Sequence, residues 1–107
     1  MYKHKFKAKP TTLDGIHFAS KAEANYYTHL LYEKEKGNIV FFLRQVPFHL
    51  PGNTRYVVDF IEFWEDGTIL FTDVKGVETE TYKLKKRMVE ELYPIRITVV
   101  KNGRKTN

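Results

Sequence analysis

The sequence predicts a single α/β (α+β) domain over residues 1–107, in which helices flank a mixed central sheet. Two observations predict this class. Runs of β-branched and aromatic residues alternate with two segments of helical periodicity, in the order α-β-β-β-α-β. Each helical segment begins at a capping residue, Ser20 or Thr79. A chain of 107 residues suits one hydrophobic core, and 42% hydrophobic with 15% aromatic residues excludes general disorder.

Charge and cysteine content narrow the class of partner. The chain carries 18 lysines and arginines against 13 acidic residues, and the net charge of +5 favours a polyanionic partner. It has no cysteine, so we expect no disulfide partner and no thiolate metal site, as suits a reducing cytoplasm. No apolar run approaches the ~20 residues that span a bilayer, and the first residues lack a signal-peptide core. We therefore expect a cytoplasmic protein with no membrane partner.

The chain begins with alternating lysines that share one side of an extended segment: Lys3, Lys5, Lys7 and Lys9. They form either a frayed basic terminus or a strip that contacts DNA phosphates without reading sequence. Asp14-Gly15 predicts a turn that leads through a short extended piece to the first helix. That helix begins with a capping box, Ser20 to Glu23, and ends at Gly37. The Glu23 carboxylate either caps the Ser20 amide or faces the sheet, and both interpretations stay open.

The segment after the first helix predicts an extended run in two parts. Asn38–Arg44 reads as a strand that is buried on both faces through its centre. Gln45–Leu50 continues as an edge-like segment, where Pro47 is tolerated. Gln45 either orients substrate or satisfies the strand ends.

The second helix begins at the Thr79 cap and covers roughly Glu80–Tyr93, with basic side chains available for nucleic-acid contacts: Lys83, Lys85 and Lys86. Pro94 stops this helix, and Ile95–Val100 forms a final strand. The tail, residues 101–107, is predicted to be basic, polar and mobile.

Between the helices, Arg55–Trp64 and Thr68–Gly76 predict a β-hairpin that carries the polar residues Asp59, Asp73 and Lys75. A two-residue loop at Asp66-Gly67 would place Asp59 opposite Val74. A three-residue loop, with Gly67 left-handed in a bulge, would pair Trp64 with Thr68 and place Asp59 opposite Asp73. We choose the three-residue loop because the two carboxylates and the lysine then converge.

This constellation, Val58-Asp59 followed by Asp73-Val74-Lys75, resembles the PD-(D/E)XK nuclease superfamily. Val58 stands where that motif has proline, and Asp73 is the second acid. Further segments in matching order look like a small phage-encoded nuclease family, grouped with phage endonucleases and Holliday-junction resolvases: Asp14–Phe18, Ser20–Ala24, Gln45–Phe48, Tyr56–Phe60, Asp73–Gly76 and Tyr82–Lys85. The resemblance covers nearly the whole chain. It implies a restriction-endonuclease-like αβββαβ core.

The same residues suggest a metal-dependent chemistry. Asp59 and Asp73 are hard oxygen ligands suited to Mg²⁺ or Mn²⁺, with the Val74 backbone carbonyl as a further ligand. Lys75 is expected to stabilise developing charge or to help deprotonate water. The resemblance implies that Glu23 joins this catalytic and metal-binding set, and that Lys85 lies near the scissile phosphate. Two acids beside one lysine leave excess negative charge that a bound cation would cancel.

The sequence thus predicts a Mg²⁺-dependent DNA endonuclease that acts in phage replication or recombination, with branched DNA such as Holliday junctions as a candidate substrate. Symmetric cutting of a junction would require a homodimer. The alternative is a non-catalytic basic nucleic-acid-binding module, in which the acids form a structural ion-pair cluster.

Overall fold

The structure, a computed structural model, describes residues 10–106, which form seven strands and two helices. A short antiparallel hairpin comes first, with β1 at Thr11–Leu13 and β2 at Ile16–Phe18. The other elements are α1 (Lys21–Glu35), β3 (Ile39–Leu50), β4 (Thr54–Trp64), β5 (Ile69–Val74), α2 (Glu80–Leu92), β6 (Ile97–Lys101) and β7 (Arg104–Thr106). The N-terminal lysines, Lys3, Lys5, Lys7 and Lys9, lie outside the described residues.

The central sheet has five strands in the order β3-β4-β5-β6-β7. Its pairs are antiparallel except for β5 and β6, which are parallel and are connected through helix α2. The predicted α/β (α+β) class is confirmed, with a mixed sheet and two helices. Neither described helix is long and apolar enough to cross a membrane.

The two helices cover opposite faces of the sheet. Tyr27 and Leu30 of α1 pack in one apolar cluster with Val100, whereas Val89 of α2 packs in a second cluster with Val99. Because neighbouring residues of a strand point to opposite faces, the adjacent pair Val99 and Val100 assigns each helix to its own face. Both predicted N-caps are present, since the side-chain oxygens of Ser20 and Thr79 each accept a backbone hydrogen bond within the first helical turn.

The predicted hairpin register is confirmed. The Trp64 N–H donates to the Thr68 carbonyl at 2.9 Å, and the Gly67 N–H donates back to Trp64 at 3.0 Å. Gly67 has φ +93°, the left-handed conformation that this three-residue loop requires. Phe60 pairs with Thr72, so the next residues toward the open end of the hairpin are Asp59 and Asp73.

An unusual backbone conformation at Gln45 interrupts the alternation along β3. Its φ is +51°, which is uncommon for a residue other than glycine. Phe42 lies against the α1 cluster, but Val46 lies against the α2 cluster, although an even spacing would keep them on one face. The same change of face separates Val58 from Phe60 on the paired strand. The sheet therefore reverses its faces next to Asp59.

Two sequence predictions were wrong in detail. The strand expected to be buried on both faces is the edge strand β3, where Phe41 and Leu43 are 43% and 44% exposed, because the helices cover the inner strands. The tail expected to be mobile instead forms β7 over Arg104–Thr106, which pairs with β6 through a turn at Asn102-Gly103. Asn102 and Gly103 both have positive φ, as a tight hairpin turn requires.

Candidate active site

The carboxylates of Asp59 and Asp73 each accept a backbone hydrogen bond from the opposite strand, at the point where β4 and β5 separate. Oδ1 of Asp73 accepts a hydrogen bond from the Asp59 N–H at 2.9 Å. Oδ2 of Asp59 accepts one from the Val74 N–H, also at 2.9 Å. Each carboxylate thereby satisfies a backbone donor that has left the strand ladder. This exchange fixes both acids at the end of the hairpin.

Asp73 is further held by two tyrosines from the α2 face. The carboxylate is only 1% exposed, and its Oδ2 accepts hydrogen bonds from the hydroxyls of Tyr56 and, at 2.8 Å, Tyr82. Burial, together with the Asp73 charge, raises the pKa of both tyrosines above its usual value, so they remain protonated donors. Neither tyrosine was predicted as a site residue, since Tyr56 stands three positions before Asp59 on the same strand and an odd spacing predicts opposite faces.

Glu23 is connected to Asp59 through Gln45. The Gln45 side-chain amide nitrogen donates to Glu23 Oε2 at 3.0 Å and to Asp59 Oδ1 at 3.1 Å. Glu23 is 5% exposed, and its own backbone N–H donates to the Ser20 hydroxyl at 3.0 Å. Of the two interpretations left open by the sequence, the carboxylate faces the sheet. One amide nitrogen therefore lies between two acids, as a cation would.

The electrostatics show that this group of acids lacks positive charge. The pKa of Asp59 is raised to about 7, first by burial and then by the nearby carboxylates of Asp73 and Glu23, while the Val74 N–H and Lys75 act in the opposite direction. Burial also raises the pKa of Glu23, against the opposing charges of Arg44 and Lys75. With a pKa of about 7, Asp59 retains its proton to a higher pH than a free aspartate does when no cation is bound.

Lys75 lies beside this group, and no acid among residues 10–106 forms an ion pair with it within 4.0 Å. Its Nζ is 4.6 Å from the centre of the Tyr82 ring, whose hydroxyl bonds Asp73. Its charge lowers the pKa of both Asp59 and Glu23. It also lines a cavity of about 480 Å³ together with His29 and Lys105. Lys75 is therefore near the acids and also borders this cavity.

The comparisons with known proteins place this chain in one family. A family model described as "Protein of unknown function (DUF1064)" matches residues 3–106. The chain belongs to the DUF1064 family. No curated protein and no solved structure gives a significant match to it.

In this DUF1064 chain, the predicted basic residues of α2 lie apart from the acids. Lys83 forms an ion pair with Glu80 at 3.5 Å, and Lys86 forms one with Glu90 at 3.6 Å. Lys85 lines a separate cavity of about 520 Å³ with Arg55 and other residues of the β3–β4 end, His49, Asn53, Thr54 and Val57. None of the three basic residues lines the cavity beside Glu23 and Asp59.

The acids of the DUF1064 chain fit a hard divalent cation in donor chemistry. Within residues 10–106, no three acid, histidine or cysteine side chains lie close enough together to form a complete metal-holding group. The carboxylates nevertheless keep unused acceptor capacity, because Asp59 and Asp73 Oδ1 each use one of two lone pairs per oxygen in the contacts above. Oxygen donors with excess negative charge are what Mg²⁺ or Mn²⁺ prefers.

Proposed function

We propose that this protein is a divalent-metal-dependent DNA endonuclease that hydrolyses phosphodiester bonds. The observation that carries the proposal is the network that joins Glu23, Asp59 and Asp73 at the open end of the hairpin, with Lys75 next to it. This arrangement agrees with the resemblance of Asp59, Asp73 and Lys75 to the PD-(D/E)XK motif. The same proposal includes a role in phage replication or recombination in the host cytoplasm. It also includes branched DNA as the substrate and a homodimeric assembly.

Four groups would hold Mg²⁺ or Mn²⁺: Asp59, Glu23, Asp73 through Oδ1, and the Val74 carbonyl. When bound, the metal supplies Lewis-acid polarisation of the phosphate and a more acidic water. Tyr56 and Tyr82 fix the orientation of Asp73 by donating hydrogen bonds to its carboxylate. Lys75 then presents a compact positive charge toward the oxygens that become more negative during hydrolysis.

A non-catalytic nucleic-acid-binding module is the second candidate, because protein donors already satisfy the acids. Asp73 has two hydroxyl donors and one backbone donor, and Asp59 has Gln45 and the Val74 N–H. Against this candidate stands the charge balance. Lys75 lowers the pKa of Glu23 and Asp59, and Arg44 lowers that of Glu23, but burial still raises both pKa values, and buried charge without full compensation is costly.

Cleavage assays separate the two candidates. Wild type, Asp73→Asn and Lys75→Ala are incubated with supercoiled plasmid, linear duplex, single-stranded DNA and a synthetic four-way junction, in Mg²⁺, Mn²⁺ or EDTA. We expect metal-dependent cleavage by the wild type and none by either variant. Asp14→Asn is the matched control, because Asp14 is an exposed acid in the β1–β2 turn and should retain full activity. If the wild type cuts none of these DNAs with either metal, the endonuclease proposal is wrong.

A further inference from the structure

The cavity beside Glu23 and Asp59 lies on the α1 side of the sheet. It has a volume of about 260 Å³ and is lined by His17, Ala19, Glu23, Arg44, Gln45 and Asp59. Because a water molecule in the liquid takes about 30 Å³, the cavity has room for a group larger than a single water. The function proposed above assigns no role to Arg44, the strongest base in this lining.

Arg44 has a buried hydrogen-bond donor that nothing among the described residues uses. Its guanidinium carbon lies 4.7 Å from the centre of the Phe18 ring, which therefore covers one face of the group. Its Nε is buried and has no hydrogen-bond partner among residues 10–106, and no described acid lies within 4.0 Å of it as an ion pair. A buried donor without an acceptor costs free energy, so a site of this kind favours a ligand that supplies one.

The neighbouring acids do not meet this need. Glu23 directs Oε2 to Gln45 instead of to Arg44, although the Arg44 charge is close enough to lower the Glu23 pKa. A guanidinium presents donors in a planar fork, which matches two oxygens of one phosphate better than a single carboxylate oxygen that is already bonded. The stacking on Phe18 holds that fork in one orientation beside Asp59 and Glu23.

We propose that the cavity is a phosphodiester-binding site in which Arg44 clamps a backbone phosphate of the bound DNA strand beside the acids. This inference rests on the endonuclease function proposed above for the identity of the ligand. The competing role for Arg44 is to neutralise Glu23 without touching substrate. Lysine would fill that role almost as well, since it carries the same charge, but it lacks the planar fork.

The test observes the arginine Nε–H groups directly by nuclear magnetic resonance, in EDTA so that nothing is cleaved. An eight-nucleotide oligothymidylate and a four-way DNA junction are titrated separately, each beside an uncharged methylphosphonate oligothymidylate as the control ligand. We expect the Arg44 signal to shift with at least one of the charged DNAs and not with the uncharged one. The exposed Arg96, which lines none of the described cavities, provides the comparison signal.

Affinity measurements complete the test. Arg44→Lys should weaken DNA binding about tenfold, because the planar charge-assisted fork is removed, whereas the matched Arg96→Lys should leave it unchanged. An Arg44 signal that moves with neither charged DNA, or unchanged affinity in Arg44→Lys, overturns the inference. This outcome does not depend on catalysis. Binding through Arg44 without cleavage of any DNA would support the phosphate site and contradict the endonuclease proposal. Cleavage of DNA by the wild type, together with unchanged affinity in Arg44→Lys, would support the endonuclease proposal and contradict the phosphate site.

Discussion

Replacing Asp59 by asparagine should stabilise the metal-free protein at neutral pH. Burial raises the pKa of Asp59 from 3.8 to about 7, with the charges of Asp73 and Glu23 acting in the same direction. The native state therefore holds the Asp59 proton more tightly than the unfolded chain does. As pH rises from about 4 to 7, the unfolded state loses this proton first, so the free energy of unfolding falls across that range. Asparagine has no proton to lose and escapes this penalty.

The magnitude follows from the size of the shift. Each pKa unit corresponds to about 1.4 kcal/mol, so a shift of about three units sets an upper limit of about 4 kcal/mol. Two effects reduce it. The carboxyl group borders a cavity and is partly exposed, and asparagine replaces one of its two acceptor oxygens by a donor, which disturbs the bond from Gln45. With about 1 kcal/mol for that bond and some solvent screening, we expect a net gain of about 1–3 kcal/mol at pH 8.

The assay is urea unfolding in EDTA at pH 5 and pH 8, comparing wild type with Asp59→Asn. The advantage of the variant should be small at pH 5 and largest at pH 8. Asp14→Asn serves as the control, because Asp14 is exposed and asparagine adopts its left-handed backbone equally well. An Asp59→Asn variant that is less stable than wild type at pH 8, or an advantage that does not grow with pH, would refute the reasoning.

Three further outcomes are expected. Added Mg²⁺ should raise the melting temperature of wild type and of Lys75→Ala at pH 8, because an ammonium is not a metal ligand, yet Lys75→Ala should not cleave DNA. If Lys75→Ala loses the Mg²⁺-dependent rise in melting temperature as well as cleavage, this expectation is wrong. Tyr82→Phe should lower the free energy of unfolding in urea by about 1 kcal/mol, because it removes one hydrogen-bond donor to Asp73. An unchanged free energy of unfolding would show that this hydroxyl does not contribute to stability. Neutralising four N-terminal lysines together, Lys3, Lys5, Lys7 and Lys9, should make DNA affinity less dependent on salt. The slope of log affinity against log salt concentration should fall in magnitude by about 0.9 for each phosphate that these lysines contact in the wild type. An unaltered slope would exclude the terminus from the DNA interface.

The helix starts were predictable because local chemistry determines them, whereas two hairpin loops suited the local sequence and the register was chosen because the polar side chains then converge. Glu65-Asp66-Gly67 supplies the residue that a three-residue loop places in the left-handed region, and Gly67 occupies that conformation. Ser20 and Thr79 cap their helices through side-chain oxygens, an interaction that depends only on the first helical turn. Signals of this kind need no knowledge of distant contacts.

The features that were missed depend on the tertiary structure, with one exception. Nothing about glutamine predicts the left-handed backbone of Gln45, which moves the following residues to the other face. The exposure of Phe41 depends on which strand lies at the edge of the sheet. The exception is β7, since Asn102-Gly103 directly after the apolar run of β6 is a recognised hairpin-turn signal that predicts the pairing of β6 with β7.

The hydrogen-bond network gives the three acids different roles, which the sequence motif does not indicate. Oδ2 of Asp73 accepts from two tyrosine hydroxyls and Oδ1 accepts from the Asp59 N–H, so this buried carboxylate offers a metal only the second lone pair of Oδ1. Asp59 and Glu23 share a single exposed amide, which can rotate away. We infer that Asp73 mainly fixes the end of the hairpin, while Asp59 and Glu23 offer the oxygens that a cation would compete for. A metal-affinity comparison should then show a larger loss for Glu23→Gln than for Tyr56→Phe, because the first removes a ligand and the second removes only a support for Asp73.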